Sequence, residues 1–211
     1  MRSVLTLLTA VMLGACSMQL STVSSLETAK RDAYNVIVLG QENGMSLTLP
    51  ANPWQESTVI DVTQQVKAKW NDPRAQSGQG HATFIARIAI DPGHVKIAVI
   101  DDLGRRALDI DWTENALDIT TADWVSGMVD GRRLLADMVM TYWPLGVVQV
   151  ALAPGLSIAE TGDKRVIRKQ GNDMVFMRIT RPEQDPWQGI STVHNTSLDY
   201  ELGINSKRMM P

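Results

Sequence analysis

The feature that most constrains the fold is an alternation of apolar and polar residues between positions 82 and 120. Within it, Leu108, Ile110 and Trp112 alternate with Asp109 and Asp111. A period of two is typical of a strand with one face buried. Short turn sequences rich in Asp, Pro and Gly separate the runs, and short connections favour antiparallel neighbours. The predicted strands of this antiparallel meander are 82–90, 95–100, 106–112 and 116–120.

Strand-like runs also occur on both sides of the meander. A hairpin is predicted from 36–39 and 45–49, joined by Asn43-Gly44, a common two-residue turn. Residues 71–80 are rich in turn formers and predict a loop. The other predicted strands are 58–62, 147–153, 156–160, 165–169, 173–180, 189–194 and 197–202. The pattern therefore predicts a mainly β (α+β) fold, a strongly curved antiparallel sheet or incomplete β-barrel of about ten strands.

One helix is predicted after Asp130, whose side chain can cap the first free amides. Its end is predicted at Trp143-Pro144, because the residue before a proline avoids helical geometry. Arg133 and Asp137 are four residues apart and could pair on its outer side. Its apolar stripe comprises Leu134, Leu135, Met138, Val139 and Tyr142, widened by Met140 and Trp143. So wide an arc indicates either a helix packed deep in the core or one that lines a cavity, across the mouth or concave face of the sheet.

The first sixteen residues have the pattern of an export signal. A basic residue, Arg2, precedes an apolar run from Val4 to Leu13, which is too short to span a bilayer. The following Leu13-Gly14-Ala15-Cys16 resembles the bacterial lipobox, and this resemblance implies cleavage before Cys16 and acylation of its sulfur. The alternative is an ordinary secretory signal with a chance cysteine.

Cys16 is the only cysteine in the chain, so no intrachain disulfide can form. Two or three acyl chains on this residue would anchor the protein stably, whereas one chain binds only marginally. Ser17 follows it, where an aspartate would resemble an inner-membrane retention signal. We therefore expect a lipid anchor in the outer membrane, facing the periplasm. The expected organisation is a signal peptide (1–15), a lipidated cysteine and tether (16–31), one half-barrel domain (32–205) and a tail (206–211).

Residues that could carry catalysis do not form a recognisable constellation. The three histidines, His81, His94 and His194, lack metal-ligand spacing, and the chain has neither a Gly-x-Ser-x-Gly elbow nor a complete nucleotide-binding glycine loop. The acidic pairs Asp101-Asp102 and Asp109/Asp111 are better explained by a turn and a solvent-facing strand. The net charge is −3 without a basic stripe, which argues against nucleic-acid binding. No catalytic residue, metal or cofactor is therefore predicted.

Two segments together resemble a known protein family. The segment 80–112, with its turn Leu103-Gly104, and the helix motif Leu135-Ala136-Asp137 followed by Trp143-Pro144 resemble the domain-of-unknown-function 3261 family of bacterial lipoproteins. Members carry Gln-Leu where this chain has Val139-Met140. The family is similar to the lipoprotein carriers LolA and LolB. That resemblance implies an incomplete β-barrel with a helical lid over an apolar cavity that holds acyl chains.

The resemblance implies a non-enzymatic lipoprotein that binds or transfers a lipid or acyl-chain product, for example one related to aryl polyenes or fatty acids. Its expected partners are the membrane, an acyl-chain ligand and a periplasmic carrier protein. An assembly lipoprotein that docks a protein partner is the alternative, and an enzyme acting on envelope lipids is a third hypothesis. The candidate ligand contacts are Leu134, Leu135, Met138, Val139, Tyr142, Trp143, Phe84 and Ile88.

Overall fold

The structure is a computed structural model that describes residues 35–42, 44–125, 129–171 and 174–209. The chain divides into two compact units, Met1–Val36 and Ile37–Pro211. Only residues 35 and 36 of the first unit are described, so the expected signal peptide, Cys16 and tether lie outside the described residues. Among the described residues, no helix is both long and apolar enough to span a membrane.

Twelve strands and two helices form the described part of the chain. The first seven strands are β1 (Val36–Val38), β2 (Ser46–Thr48), β3 (Ile60–Asn71), β4 (Gln79–Asp91), β5 (His94–Asp101), β6 (Arg106–Thr113) and β7 (Leu117–Thr121). A short 3-10 turn at Asp123–Val125 precedes the helices α1 (Gly131–Tyr142) and α2 (Leu145–Ala151). The last five strands are β8 (Leu156–Thr161), β9 (Lys164–Lys169), β10 (Met174–Thr180), β11 (Gly189–Asn195) and β12 (Tyr200–Arg208).

Ten of these strands form one antiparallel sheet in the order β7-β6-β5-β4-β3-β12-β11-β10-β9-β8. The predicted meander is confirmed as β4 to β7, which pair consecutively. The pairing of β12 with β3 joins the first half of the sheet, β3 to β7, to the second half, β8 to β12. The edge strands β7 and β8 do not pair with each other in the described part of the chain, so the sheet is not closed into a barrel.

Contacts across the sheet show that it is strongly curved. Trp143 stacks on Trp112 of β6 with ring centroids 6.1 Å apart. Its backbone carbonyl also accepts a 2.8 Å hydrogen bond from Arg165 of β9. The strands β6 and β9 are seven positions apart in the sheet, which would separate them by about 34 Å if the sheet were flat. One residue can contact both only because the sheet curls around it, as the sequence predicted.

The core lies between the concave face of the sheet and α1. In β3 the residues Ile60, Val62 and Val66 are buried, while Gln65 and Lys67 on the opposite face are exposed. All of the last eight residues of the helix, from Leu135 to Tyr142, are buried. The buried surface therefore covers a wider arc of the helix than contact with a single face of a sheet would bury. Its apolar width thus follows from being enclosed by the curved sheet.

The predicted start and end of α1 are confirmed. The Asp130 side chain accepts hydrogen bonds from the amides of Arg132 (2.9 Å) and Arg133 (3.3 Å). Trp143 is the C-terminal cap in an extended conformation, as expected for the residue before Pro144. The proposed outer-side pair of Arg133 and Asp137 is wrong, because Asp137 is buried and bonds to a strand instead.

The prediction of a strand at 147–153 is also wrong. Residues 145–151 form α2, which starts after Pro144 and buries Val148 and Ala151. A short apolar run has no clear period, so the sequence could not distinguish a buried helix from a strand here. After the helix, Leu152 forms an antiparallel bridge to Leu47, and the next amide, of Ala153, donates to the Ser46 carbonyl.

Two boundaries also differ from the sequence interpretation. The strands β3 and β4 extend into the predicted 71–80 loop, so the turn itself occupies only 72–78, where the Asp72 amide donates to the Gly78 carbonyl. The predicted domain end at residue 205 falls inside β12, which continues to Arg208 because it pairs with β3 as far as Val62. The predicted hairpin of β1 and β2 forms a separate two-stranded sheet.

Gly131 is required where α1 approaches the sheet. A Cβ added at this position would lie 2.7 Å from Ile119 Cγ2 and 2.8 Å from Leu108 Cδ1. We expect Gly131→Ala to lower the free energy of unfolding by about 1–3 kcal/mol, since overpacking a buried contact forces its neighbours to move. The matched control is Gly146→Ala in α2, where the same methyl meets open space. Urea titration should find the control unchanged or slightly stabilised, and equal losses at both glycines would contradict this interpretation.

Candidate functional site

A small cavity lies between α1 and the concave face of the sheet. The helix contributes Leu134, Asp137, Met138, Thr141 and Tyr142 to its wall. The strands contribute Gln64, Val66, Phe84, Ala86, Ile88, Ile97, Leu202 and Ile204, from β3, β4, β5 and β12. Nine of these thirteen side chains are apolar, so the wall favours an apolar occupant.

The volume of this cavity is about 40 Å³. Sites that enclose a small-molecule ligand are about 300–1,000 Å³. The cavity in this conformation therefore has room for a few atoms but not for an acyl chain. A larger ligand could enter only if α1 moved away from the sheet.

A buried polar cluster joins the C-terminal end of α1 to the sheet. The Gln64 side-chain amide donates 3.0 Å hydrogen bonds to the Tyr142 hydroxyl and to Ser206 Oγ. All three residues are buried. Burial raises the pKa of Tyr142, so its hydroxyl stays protonated and holds this end of the helix by hydrogen bonding.

A second polar contact joins the middle of α1 to β12. The Tyr200 hydroxyl donates to both oxygens of the Asp137 carboxyl, at 2.7 and 2.8 Å, and Asn195 Nδ2 donates to the same hydroxyl at 3.4 Å. Burial raises the pKa of Asp137 to about 7, although the Tyr200 hydrogen bond and the nearby charge of Arg133 oppose this shift. Asp137 is therefore a buried acid in the cavity wall that changes charge near neutral pH.

Arg165 on β9 satisfies the end of α1. Its Nη1 donates to the carbonyls of Met140 (3.0 Å), Thr141 (3.3 Å) and Trp143 (2.8 Å), and the side chain is 2% exposed. The last carbonyls of a helix have no partners within the helix, and a cation there also complements the helix dipole. Arg165 therefore fastens the C-terminal end of α1 to the sheet.

Glu160 on β8 balances the charge of Arg165. It accepts from Arg165 Nε and, at 2.8 Å, from Arg181 Nη2. Burial by itself would raise the pKa of Glu160, but the hydrogen bonds and charges of the two guanidinium groups hold it below its usual value. The group of Arg165, Glu160 and Arg181 is therefore charged at neutral pH.

Aromatic rings surround the same end of the helix. Tyr142 stacks on Trp187 with centroids 4.2 Å apart, and Trp54 meets Trp143 edge-on at 5.2 Å. The Trp143 indole also donates to the Pro53 carbonyl at 2.6 Å. These contacts add packing to the hydrogen bonds, so the C-terminal end of α1 is held much more firmly than a single Asp137–Tyr200 contact holds its middle.

The structure divides the eight predicted ligand contacts into two groups. Five of them, Leu134, Met138, Tyr142, Phe84 and Ile88, line the cavity together. The other three, Leu135, Val139 and Trp143, are at most 1% exposed and belong to the surrounding core. Binding of a ligand by the first group stays a prediction.

The sequence interpretation missed the polar residues that hold the helix. Arg165 and Gln64 come from strands far from α1 in sequence, and an alternating charged residue on a strand normally predicts solvent exposure. A recognisable signal existed only for Asp137, which lies one turn from Leu134 and Thr141 on the apolar side of the helix. Across the described residues, no three His, Cys, Asp or Glu side chains are grouped so that they could hold a metal ion.

Together, the fold and site define a mainly β protein in which an incompletely closed, ten-stranded sheet curls around one helix and a small apolar cavity. The family model "Protein of unknown function (DUF3261)" matches residues 61–208. The chain belongs to this family, as the helix motif in the sequence indicated.

Comparisons beyond the family are less informative. No curated protein matches the chain. A crystal structure of a domain from Vibrio parahaemolyticus, provisionally described as an outer membrane lipoprotein-sorting protein domain, aligns with 88% of this chain and 92% of that one. Its TM-score is 0.31 and the sequence identity is 7%. Similarity at this level supports no conclusion about shared fold or function.

Proposed function

We propose that this protein is a lipid-anchored, non-enzymatic carrier that binds an acyl chain between α1 and the concave face of its sheet. The observation that carries the proposal is the cavity with a mainly apolar wall between helix and sheet. Apolar groups gain about 25 cal/mol per Å² removed from water, so an apolar groove can bind an acyl chain without any covalent chemistry. A lipid or an aryl-polyene or fatty-acid product is the cargo class we favour.

Binding by this route requires α1 to move. The C-terminal end of the helix is fastened by Arg165, Gln64 and the aromatic rings. Its middle is joined to β12 only through Asp137 and Tyr200 among the hydrogen bonds described. The movement we propose is an outward swing of α1 about its C-terminal end. It would separate Gly131 from Leu108 and Ile119 and widen the cavity beside Leu134, while the aromatic rings around Trp143 stay packed.

The anchor is proposed at Cys16, in the outer membrane and facing the periplasm. The lipobox-like Leu13-Gly14-Ala15-Cys16 and the absence of any second cysteine support acylation there. Intact-mass analysis of the mature protein should find the chain starting at Cys16 with acyl groups attached. A mature chain with an unmodified amino terminus would rule out the anchor but not ligand binding by the domain.

Leu134 provides a direct test of ligand binding. It is half-buried at the cavity wall, so Leu134→Gln should fold but place an amide against the bound chain. We expect roughly tenfold weaker uptake of a fluorescent fatty acid, from the lost apolar contact and the desolvated amide. The matched control is Ile190→Gln, since Ile190 is 71% exposed and does not line the cavity.

Native mass spectrometry of the purified protein should also detect bound acyl species. If the protein takes up no fluorescent fatty acid and carries no bound acyl species, the proposed function is contradicted. Equal affinity in the Leu134 and Ile190 variants would show that a fatty acid binds somewhere other than this cavity.

The small size of the cavity favours a second candidate function, an assembly lipoprotein that docks a protein partner. Such a protein would need no space under α1, and the described cavity is only about 40 Å³. A disulfide between introduced cysteines would distinguish the two candidates by holding α1 to β12. If the protein is a carrier, tethering the helix should abolish fatty-acid uptake. If it is a docking protein, tethering should leave its binding to the partner protein unaffected.

The partner expected for a carrier is a periplasmic carrier protein that exchanges the same cargo.

A further inference from the structure

The helix α2 presents an unusual surface for a protein helix. Val150 is 86% exposed and Leu145 is 38% exposed. A methyl group placed on Gly146 would have no neighbour within 4 Å, so this position also faces open space. No charged residue occurs from Trp143 to Ala159. The helix therefore turns an uncharged face to the outside, in which Gln149 is the one polar residue.

The opposite side of α2 is firmly attached to the domain. Val148 and Ala151 are buried, and the Gln149 side-chain oxygen accepts a 3.2 Å hydrogen bond from the Ile158 amide of β8. The side-chain oxygen of Gln149 is thus used within the protein, although the residue itself is exposed. The exposed face of α2 is held in place by this attachment and is not the result of a loosely packed helix.

The chain enters the domain close to α2. Leu152, which follows α2, bridges to Leu47 of β2, and the Ala153 amide donates to the Ser46 carbonyl at 3.0 Å. β2 in turn pairs with β1, which contains Val38, an apolar residue that is 59% exposed. Adjacent strands are about 4.8 Å apart, so the first strand of the domain lies roughly 10 Å from the end of α2.

These observations specify what can cover the face. From Cys16 to Ile37 the chain is 21 residues long and reaches at most about 70 Å, so a bilayer holding the acylated cysteine lies within reach of α2. A protein partner would be expected to meet a polar rim with charged groups. The exposed apolar side chains of α2 can instead enter the headgroup–acyl boundary of a bilayer without the cost of desolvating a charge.

We infer that the exposed face of α2, formed by Leu145 and Val150, docks on the bilayer that holds the anchor. This inference rests on the proposed anchor at Cys16. Docking through α2 places the fastened end of α1 toward the membrane, because only Trp143 and Pro144 separate the two helices. A cargo chain leaving the cavity would then have a short path to the lipid.

The test uses the full mature lipoprotein in vesicles of phosphatidylethanolamine and phosphatidylglycerol. With Cys16 acylated, Val150→Cys has a single free thiol, which is labelled with an environment-sensitive fluorophore. The control is Ile190→Cys, a similarly exposed apolar position that lies on β11 and not on α2. Nitroxide lipids should quench the label at 150 roughly threefold more strongly than the label at 190, since interfacial helices bury their apolar face about 5–10 Å into the headgroup boundary.

Adding Leu145→Asp to the Val150→Cys protein should remove the extra quenching without affecting the fold, since both side chains face outward. Equal quenching at 150 and 190 would overturn the inference. Shielding of residue 150 in cells but not in vesicles would overturn it as well, because the occupant would then be a protein. Intact mass showing two labels would instead mean that Cys16 is not acylated, and fatty-acid uptake measured on the same sample tests the carrier function separately.

Discussion

Arg165→Met should lower the free energy of unfolding by about 3–5 kcal/mol, since removing one partner of a buried, hydrogen-bonded charge leaves the others uncompensated. The side chain is 2% exposed and donates to three carbonyls at the end of α1. Its loss leaves those carbonyls and Glu160 without their main donor. For a domain of this size the melting temperature should fall by about 10 °C, measurable by circular dichroism.

Arg181→Met is the matched control for this change. Arg181 also pairs with Glu160, at 2.8 Å, but makes none of the hydrogen bonds to α1 that are described for Arg165. We expect the control to lose roughly 1–2 kcal/mol, less than half of the effect at Arg165. If the two variants lose the same stability, the ion pairs with Glu160 account for the effect, and the hydrogen bonds from Arg165 to the end of α1 contribute nothing measurable.

Asp137 should make the stability of the protein fall as the pH rises through the neutral range. The pKa of its carboxyl is raised from 3.8 to about 7 in the folded protein, chiefly by burial. Between these two values the folded state holds a proton that the unfolded state has released, so raising the pH favours unfolding. From pH 5 to pH 8 the free energy of unfolding should decrease by up to about 3 kcal/mol from this group.

Asp137→Asn tests this dependence because an amide is neutral at every pH and its oxygen can still accept from Tyr200. The variant should be more stable than the parent at pH 8 and should lose most of the decrease between pH 5 and pH 8 in urea titrations. Asp118→Asn, at an exposed position on β7, should keep the pH profile of the parent. An unchanged profile in Asp137→Asn would show that this carboxyl is not the titrating group.

The same acid connects stability to the proposed movement of α1. The Asp137–Tyr200 contact holds the middle of the helix to β12. Ionising Asp137 strengthens this hydrogen bond but leaves a charge in a buried, mainly apolar wall, and the larger cost of burying that charge favours movement of the helix away from the sheet. Fatty-acid uptake should therefore be faster at pH 8 than at pH 5 if the helix swings out as proposed. The Asn variant should show no such difference between the two pH values.

The strands of the meander and the helix α1 could be predicted from the sequence because their signals are local. Alternation in residues 106–112 sets a buried face, and Asp130 and Pro144 set the two ends of α1 within a few residues of themselves. The helix α2 could not be predicted in this way. Six of its seven residues have no polar side chain and they follow no period, and only packing of Val148 and Ala151 against the domain decides between helix and strand.

The sequence by itself determined the antiparallel sheet, the enclosed helix and the family, since periodicity, caps and the Leu-Ala-Asp and Trp-Pro motifs are readable within short segments. Only the tertiary structure decided which residues meet. Arg165 reaches the end of α1, and Tyr200 reaches Asp137, because the curved sheet brings strands distant in sequence around one helix. Such contacts depend on the register and curvature of ten strands together, and no local pattern of residues encodes them.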